Sequence, residues 1–471
     1  MTDLEMRLVA YDQDTPAAVL PSPTSIQWGA PINDTPTLQF TYSDYPSVSG
    51  APFLDLLIPS QVDVALEVTK DGDWVEMPSS RFIMMDQSND TADPTNMMTF
   101  VGIGVDDDLN GVQITDKSKF NADGKLVFTN ATPGQILRTF HDFGVANGML
   151  NLLTTDFSTS QTSAQDEDEP WNDTITWEMP FGTSYRAALD MLVSYGMINW
   201  RCEGNKLRVF NDSAEGHPSD WGGMQRDYTD GANPVELIMG RECVTGPQSI
   251  SRRNLANKVL VTSDNNSSWL RSNSSLAISR GDRVITFDQG GIATEGAADV
   301  IGDRLLDGAK STREQLTREL KFDSSLKFLP WYDYRPGDWI YGPSKAGGAI
   351  DRLRVSQITL TQDDKGTLGG SIILNDRLLE RSVAVQKQLA ALQGGATIGT
   401  GGGSTKPAPP GRTPAKPSGT PTVTGAAYVD KTGHVRATIN IVWSGVTSGV
   451  DGQAIDIDHY EVRMRKKKKV A

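Results

Sequence analysis

Histidine is the side chain best placed to bind a metal or move a proton near neutral pH, and this chain has four: His141, His217, His434 and His459. They are scattered. No HxxH or HExxH run sets two imidazoles on one helix face, so no zinc centre is expected. Cys202 and Cys243 stand alone and far apart, which predicts two reduced, buried thiols in a reducing folding compartment. Gly102-Ile103-Gly104 is the nearest approach to a phosphate-cradling loop, but it lacks the third glycine and the helix that should follow. No GxSxG or Walker pattern occurs. Asp106-Asp107-Asp108 and Asp166-Glu167-Asp168-Glu169 are dense enough in carboxylate for a cation. They lack the glycine and the spaced ligands of a calcium loop, so both read as solvated loops. Glycan hydrolysis needs two positioned carboxyl groups, and none of the 59 acidic residues stands in a distinctive motif. The Lys466–Lys469 run reads as a solvated tail. No catalytic, cofactor-binding or metal-ligating residue is expected.

The elements that could position such residues are mostly strands. The 471 residues exceed one ordinary core, and 45 Gly with 25 Pro favour a turn-rich, mainly β chain of three or four domains. No apolar run approaches the roughly 18–20 residues of a membrane span. The start, Met1-Thr2-Asp3-Leu4-Glu5, is acidic where a signal peptide is basic, so no secretory address is expected. Charge is unevenly placed, with a balance of −21 over residues 1–400 and +6 over 401–471. An acidic body lacks the basic footprint of a nucleic-acid binder, although an acidic wall lets nucleic acid pass without sticking.

Residues 1–124 read as a barrel of six or seven strands. Leu38-Gln39-Phe40-Thr41-Tyr42 and Val62 to Val68 alternate with period two. Asp71-Gly72-Asp73 is a hairpin turn leading into Trp74-Val75-Glu76, and Arg81–Met85 and Met97–Val105 complete the set. Residues 125–212 read as an α+β domain. Thr132-Pro133-Gly134-Gln135 is a helix start with N-cap, N1 proline and capping box; Ile136, Leu137, Phe140 and Phe143 form its stripe. A second helix begins at Ser184, buries Tyr185, Ala188, Leu189, Leu192 and Val193, and stops at Gly196. Met197–Cys202 and Leu207–Phe210 then form a hairpin about Glu203-Gly204-Asn205-Lys206.

Residues 213–375 read as a second barrel interrupted by one helix, about 295–309, with Val300, Ile301, Leu305 and Leu306 inward. Leu316, Leu320 and Phe322 share a strand face. Pro336-Gly337-Asp338 turns the chain into an apolar strand: proline presets φ, glycine accepts positive φ, and aspartate bonds nearby N–H groups. Strands at Leu353–Thr361 and Thr367–Asn375 follow, joined by Asp363-Asp364-Lys365-Gly366. A helix is expected at 376–393, with Leu378, Ser382, Val385, Leu389 and Leu392 as a short heptad seam. Residues 394–420 are a Gly/Pro linker, which predicts early proteolysis there. Residues 421–471 give three strands, with Trp443 ending the second and Tyr460-Glu461-Val462-Arg463 in the third. This resembles the first half of a fibronectin type III domain, which needs about 90–100 residues.

The order of these parts, with Thr132-Pro133-Gly134-Gln135-Ile136-Leu137, Tyr195-Gly196-Met197-Ile198-Asn199-Trp200 and the Pro336-Gly337-Asp338 turn, resembles the baseplate-hub or minor tail proteins of long-tailed bacteriophages. The resemblance covers most of residues 1–390. It implies a structural virion protein of the tail tip, folded in the host cytoplasm, and no enzyme. Three subunits, each with two barrels, would form a homotrimeric ring of six. The ring would join the tail tube to the host-binding apparatus and let DNA through unbound. The implied partners are the distal tail protein, the tape measure protein, other tail-tip proteins and the host surface. The alternatives are a tail-associated cell-wall hydrolase, which would need an added Cys/His constellation, or a monomeric carbohydrate-binding adhesin with exposed aromatic platforms.

Overall fold

A computed structural model describes residues 4–375 except 44–47, 49, 51–56, 58–61, 71, 90–96, 164–168, 213–225, 230–232, 245, 252–254, 263–267, 274–277, 279–280, 289–294, 310–312, 324–325 and 345–349. It also describes the strands 422–429 and 435–442. The chain divides into two compact units, Met1–Gly399 and Thr400–Ala471. It is mainly β. The expected helix at 376–393, the linker, the third C-terminal strand and the lysine run lie outside the described residues.

The first unit begins with β1 (Glu5–Asp12), β2 (Thr15–Val19), β3 (Ser25–Pro31), β4 (Thr37–Tyr42), β5 (Asp63–Thr69), β6 (Val75–Asn89) and β7 (Met98–Gly104). Next come β8 (Lys125–Ala131), α1 (Pro133–Ala146), β9 (Thr154–Thr155), β10 (Ile175–Pro180), α2 (Tyr185–Ser194), β11 (Ile198–Glu203) and β12 (Lys206–Asn211). The remainder is β13 (Gln248–Ser251), β14 (Lys258–Thr262), β15 (Ser268–Ser272), β16 (Val284–Asp288), α3 (Glu295–Ala309), β17 (Arg313–Glu319), β18 (Trp339–Pro343), β19 (Ile350–Gln362) and β20 (Leu368–Asn375). In the second unit β21 (Thr422–Val429) pairs antiparallel with β22 (Val435–Val442), from Thr422↔Val442 to Val429↔Val435.

Two separate barrels were expected from residues 1–124 and 213–375. The described strands instead form one open twelve-stranded sheet, in the order β13-β17-β20-β19-β3-β4-β7-β6-β5-β1-β2, with β18 beside β19. The join is the antiparallel pairing of β3 with β19, from Pro31↔Gln357 to Ile26↔Gln362. Alternation explains why one core serves both halves. Ile26, Trp28, Leu38 and Phe40 face inward from the first half, and Ile358, Leu360, Ile372 and Leu374 from the second, all within one cluster. Trp28 stacks on Trp331 with ring centroids 4.3 Å apart. Trp331 itself sits at φ 73°, a left-handed conformation held by its N–H to Tyr334 O bond of 2.7 Å.

A second core belongs to the α+β part. The Thr132 hydroxyl accepts the Gln135 N–H at 3.1 Å, and the Gln135 amide oxygen accepts the Thr132 N–H at 2.9 Å, so the expected capping box is complete. α1 continues past Gly144, which is buried within it, and ends at Ala146 before Gly148 at φ 67°. Ser184 caps α2, and Gly196 follows its last turn at φ 65°. Segment 257–309 was grouped with the second barrel from the sequence. Val259 and Val261 of β14 and Ala298, Ile301 and Leu306 of α3 instead lie in the α+β core, and Phe287 of β16 meets Tyr195 edge-on at 5.7 Å. An apolar stripe specifies burial and leaves the partner open, so the sequence reading took the nearer neighbour.

Candidate functional site

The most constrained polar groups lie on the seam between the two cores and behind the Pro336-Gly337-Asp338 turn. Loop 32–36, after β3, faces α2 and β11. Asn33 adopts φ 51°, donates from Nδ2 to Asn199 Oδ1 at 2.7 Å, and accepts the Trp200 N–H at 2.8 Å. Arg186, on the buried face of α2, donates to Asp106 Oδ2 at 2.5 Å, Thr35 Oγ1 at 2.7 Å and Asp190 Oδ1 at 2.9 Å. Its guanidinium lies 4.6 Å from the Trp200 ring centroid. Burial works to lower the Arg186 pKa, but Asp190, Asp106 and Asp34 outweigh it and hold the group above its ordinary value. Asp106 is fully buried, and that burial raises its pKa against the opposing pull of Arg186 and Thr35. Gly104 is required beside it, since an added Cβ would stand 2.4 Å from Asp106 Oδ1 and 2.6 Å from Pro36.

Behind the turn, Gly337 takes φ 104° and the Arg335 N–H bonds Asp338 Oδ2 at 2.8 Å, as the turn chemistry requires. The sequence did not disclose the partner. Arg226 grips Asp338 through Nε to Oδ1 at 2.9 Å and Nη2 to Oδ2 at 2.6 Å, with both side chains almost fully buried. Arg335 is half-buried near Arg226 and Arg201, and desolvation with these like charges lowers its pKa to about 10. Arg354 donates to Gly337 O at 3.2 Å and Asn199 Oδ1 at 3.3 Å, tying the turn to the seam.

The other candidates are structural or lie elsewhere. His141 is buried on α1 with its Nδ1 unbonded, near the Tyr185 ring. His217, His434 and His459 are outside the described residues, as are Asp166, Glu167 and Asp168. Asp107 accepts from Asn110 at 2.8 Å, while Asp106 is spent on the seam, so the acidic triplet is split and is no solvated loop. Among the described residues no group of three His, Cys, Asp or Glu side chains is placed to hold a metal. Cys202 and Cys243 are free and buried; burial pushes the Cys243 thiol up to about 12. A methyl at Gly102 would collide with Met84, so the Gly102–Gly104 pair serves close packing. A cleft of about 990 Å³ opens where Leu4 to Arg7 meet Phe322, Leu329 and Leu368. Its cation, Arg7, bonds Glu67 at 2.6 Å and covers Trp74. Among the described residues these contacts tie the two cores to each other and to the turn.

No helix among the described residues is long and apolar enough to cross a membrane. No family model matches the sequence, and no curated protein does. Among solved structures the chain is similar to the 43 kDa tail protein of prophage MuSo2 from Shewanella oneidensis, at 14% identity, over 79% of this chain and 98% of that one, with a TM-score of 0.49. It is similar to the prophage tail protein gp18 from Listeria monocytogenes EGD-e at 12% identity, over 82% and 98%, with a TM-score of 0.48. It is also similar to the E. coli c3393 protein, described as a type VI secretion component structurally similar to T4 tail proteins gp27 and gp5. That match has 11% identity over 92% and 88% of the two chains, with a TM-score of 0.39. The three carry the names of two prophage tail proteins and one type VI secretion component.

Proposed function

We propose that this chain is a structural subunit of a bacteriophage tail, forming a homotrimeric hub ring at the tail tip. The observation that carries the reading is the β3–β19 pairing, which fuses two multi-stranded halves of one chain into a single sheet over one core. Two adjacent β halves per subunit let three copies present six comparable β units, enough to match a sixfold tube to a threefold tip. The buried Arg186 and Arg226 contacts fit a part that must hold its shape and has no reaction to perform. The ring joins the tail tube to the distal tail protein, the tape measure protein and the host-binding apparatus, and DNA leaves through it. Residues 421–471 provide a contact with another tail protein or the host surface. Copy number in purified virions, by quantitative mass spectrometry against the tube protein and by imaging of the tail tip, tests this. Three copies around the axis are expected; one copy, six copies, or location away from the tail overturns it. The isolated chain should release no fragments from peptidoglycan.

A further inference from the structure

The β1–β2 turn of the sheet and the β11–β12 turn of the α+β part meet through one side chain. Asn205 is 6% exposed, and its backbone oxygen accepts the Thr154 N–H at 2.8 Å. Its Nδ2 donates to Asp14 Oδ1 at 3.0 Å and to Asp63 Oδ2 at 3.3 Å. Asp14 lies in the β1–β2 turn, and Asp63 opens β5. Two carboxylates from separate elements thus converge on one amide nitrogen. Their oxygens stand within about 6 Å of each other, close enough for two anions to repel. A neutral amide gives each carboxylate a hydrogen bond and cancels neither charge.

The groups that face this pair from the neighbouring elements leave the charge standing. On β6, Arg81 Nε and Nη2 are taken by Glu76 at 2.9 and 2.6 Å, and the guanidinium lies 3.6 Å from the Tyr11 ring centroid on β1. Arg81 Nη1 reaches a backbone carbonyl, Gln13 O, at 3.4 Å. Asp108, which follows β7, adds a like charge to Asp63, and Asp107 and Asp106 adjoin it. Asp106 is answered by Arg186 at 2.5 Å. Among the described residues no Lys, Arg or His stands within ion-pair distance of Asp14, Asp63 or Asp108. Desolvation raises the Asp63 carboxyl above its ordinary pKa, against the Asn205 bond and Arg81, and Asp14 and Glu76 add to the rise. A carboxyl held up in this way binds its proton more tightly in the folded chain than in the unfolded one. Its contribution to stability therefore grows as pH falls through the folded value towards about 4.

We propose that the Asp14–Asn205–Asp63 contact is a pH-set latch between the sheet and the α+β part: at neutral pH the facing carboxylates loosen the two turns from each other, and uptake of one proton by the pair fastens them. The rest of the joint does not share this response. Near the start of β11, Asn33 bonds Asn199 at 2.7 Å and the Trp200 N–H at 2.8 Å through amides, which have no proton to gain or lose in this range. The latch works at one end of β11 while the seam holds the other.

Hydrogen exchange of the full chain at pH 7.5 and pH 4.5, corrected for the intrinsic pH dependence of amide exchange, tests this on peptides spanning residues 12–20 and 203–210. Relative to the interior strand β4, both segments of the wild type should be about fivefold better protected at pH 4.5 than at pH 7.5. Asp63→Asn keeps an acceptor and removes one charge. Its two segments should show at pH 7.5 the protection that the wild type reaches at pH 4.5, and should not respond to pH. Asp14→Asn, at an exposed position, should do the same, and carries the test if Asp63→Asn does not fold. His141 sits on α1, so its own proton uptake is read in residues 133–146, outside both segments. Wild-type protection that stays within twofold between the two pH values overturns the proposal, and so does a pH response that persists in the folded variants.

Discussion

Asp338→Asn in the Arg226–Asp338 pair isolates the electrostatic part of the turn that starts β18. The substitution keeps the side-chain shape and an acceptor for the Arg335 N–H, which bonds Asp338 Oδ2 at 2.8 Å. It removes the charge that answers Arg226 across bonds of 2.9 and 2.6 Å. Arg226 is 3% exposed, so water cannot take over. Leaving one partner of a buried pair uncompensated costs about 3–5 kcal/mol, and retained neutral hydrogen bonds should bring this to about 2–3 kcal/mol. With a urea slope of about 3 kcal/mol per M for a body this large, the midpoint falls by nearly 1 M. Tryptophan fluorescence suits the assay because Trp28 and Trp331 stack in the same core. The decisive comparison is a double-mutant cycle with Arg226→Met. The buried pair requires the double variant to be more stable than the sum of single losses predicts, by about 2 kcal/mol or more. A coupling below about 0.5 kcal/mol would refute the pairing as the turn's support.

Other outcomes follow from single sites. Thr132→Ala opens the capping box of α1 and should destabilise the α+β core by about 1 kcal/mol, seen as a lower thermal midpoint, while Thr132→Ser should not. Burial and the nearby Arg138 hold His141 below its ordinary pKa, so the unfolded chain takes up a proton that the folded chain refuses. Stability should therefore fall as pH drops below about 6.5 towards the lower folded value, and His141→Gln should flatten the urea midpoint between pH 7 and pH 5. Cys202 and Cys243 should resist a thiol reagent at pH 8 until denaturant is added, because burial raises both thiols above their ordinary pKa; rapid native labelling would contradict their placement.

The features legible in the sequence are those that one segment determines. Period-two alternation marked β4 and β5, the Thr132–Gln135 spacing marked the start of α1, and Glu203-Gly204-Asn205-Lys206 marked the β11–β12 turn, where Gly204 takes φ 54°. Each depends on backbone sterics and hydrogen bonds within a few residues. β2 escaped notice because Thr15–Val19 is an exposed edge strand with little alternation. Tertiary structure alone decided which buried faces meet. Alternation shows that Trp28 and Leu360 point inward, but it does not say that β3 and β19 are neighbours or that two halves share one core. The same limit hid Arg226 behind Asp338 and Arg186 beside Asp106, since a buried charge is recognised only when its partner is placed. It also placed the apolar faces of β14 and α3 in the α+β core. Local chemistry sets each element's shape and its apolar side; the partner of that side is set by competition among all the apolar faces in the chain, which no single segment encodes.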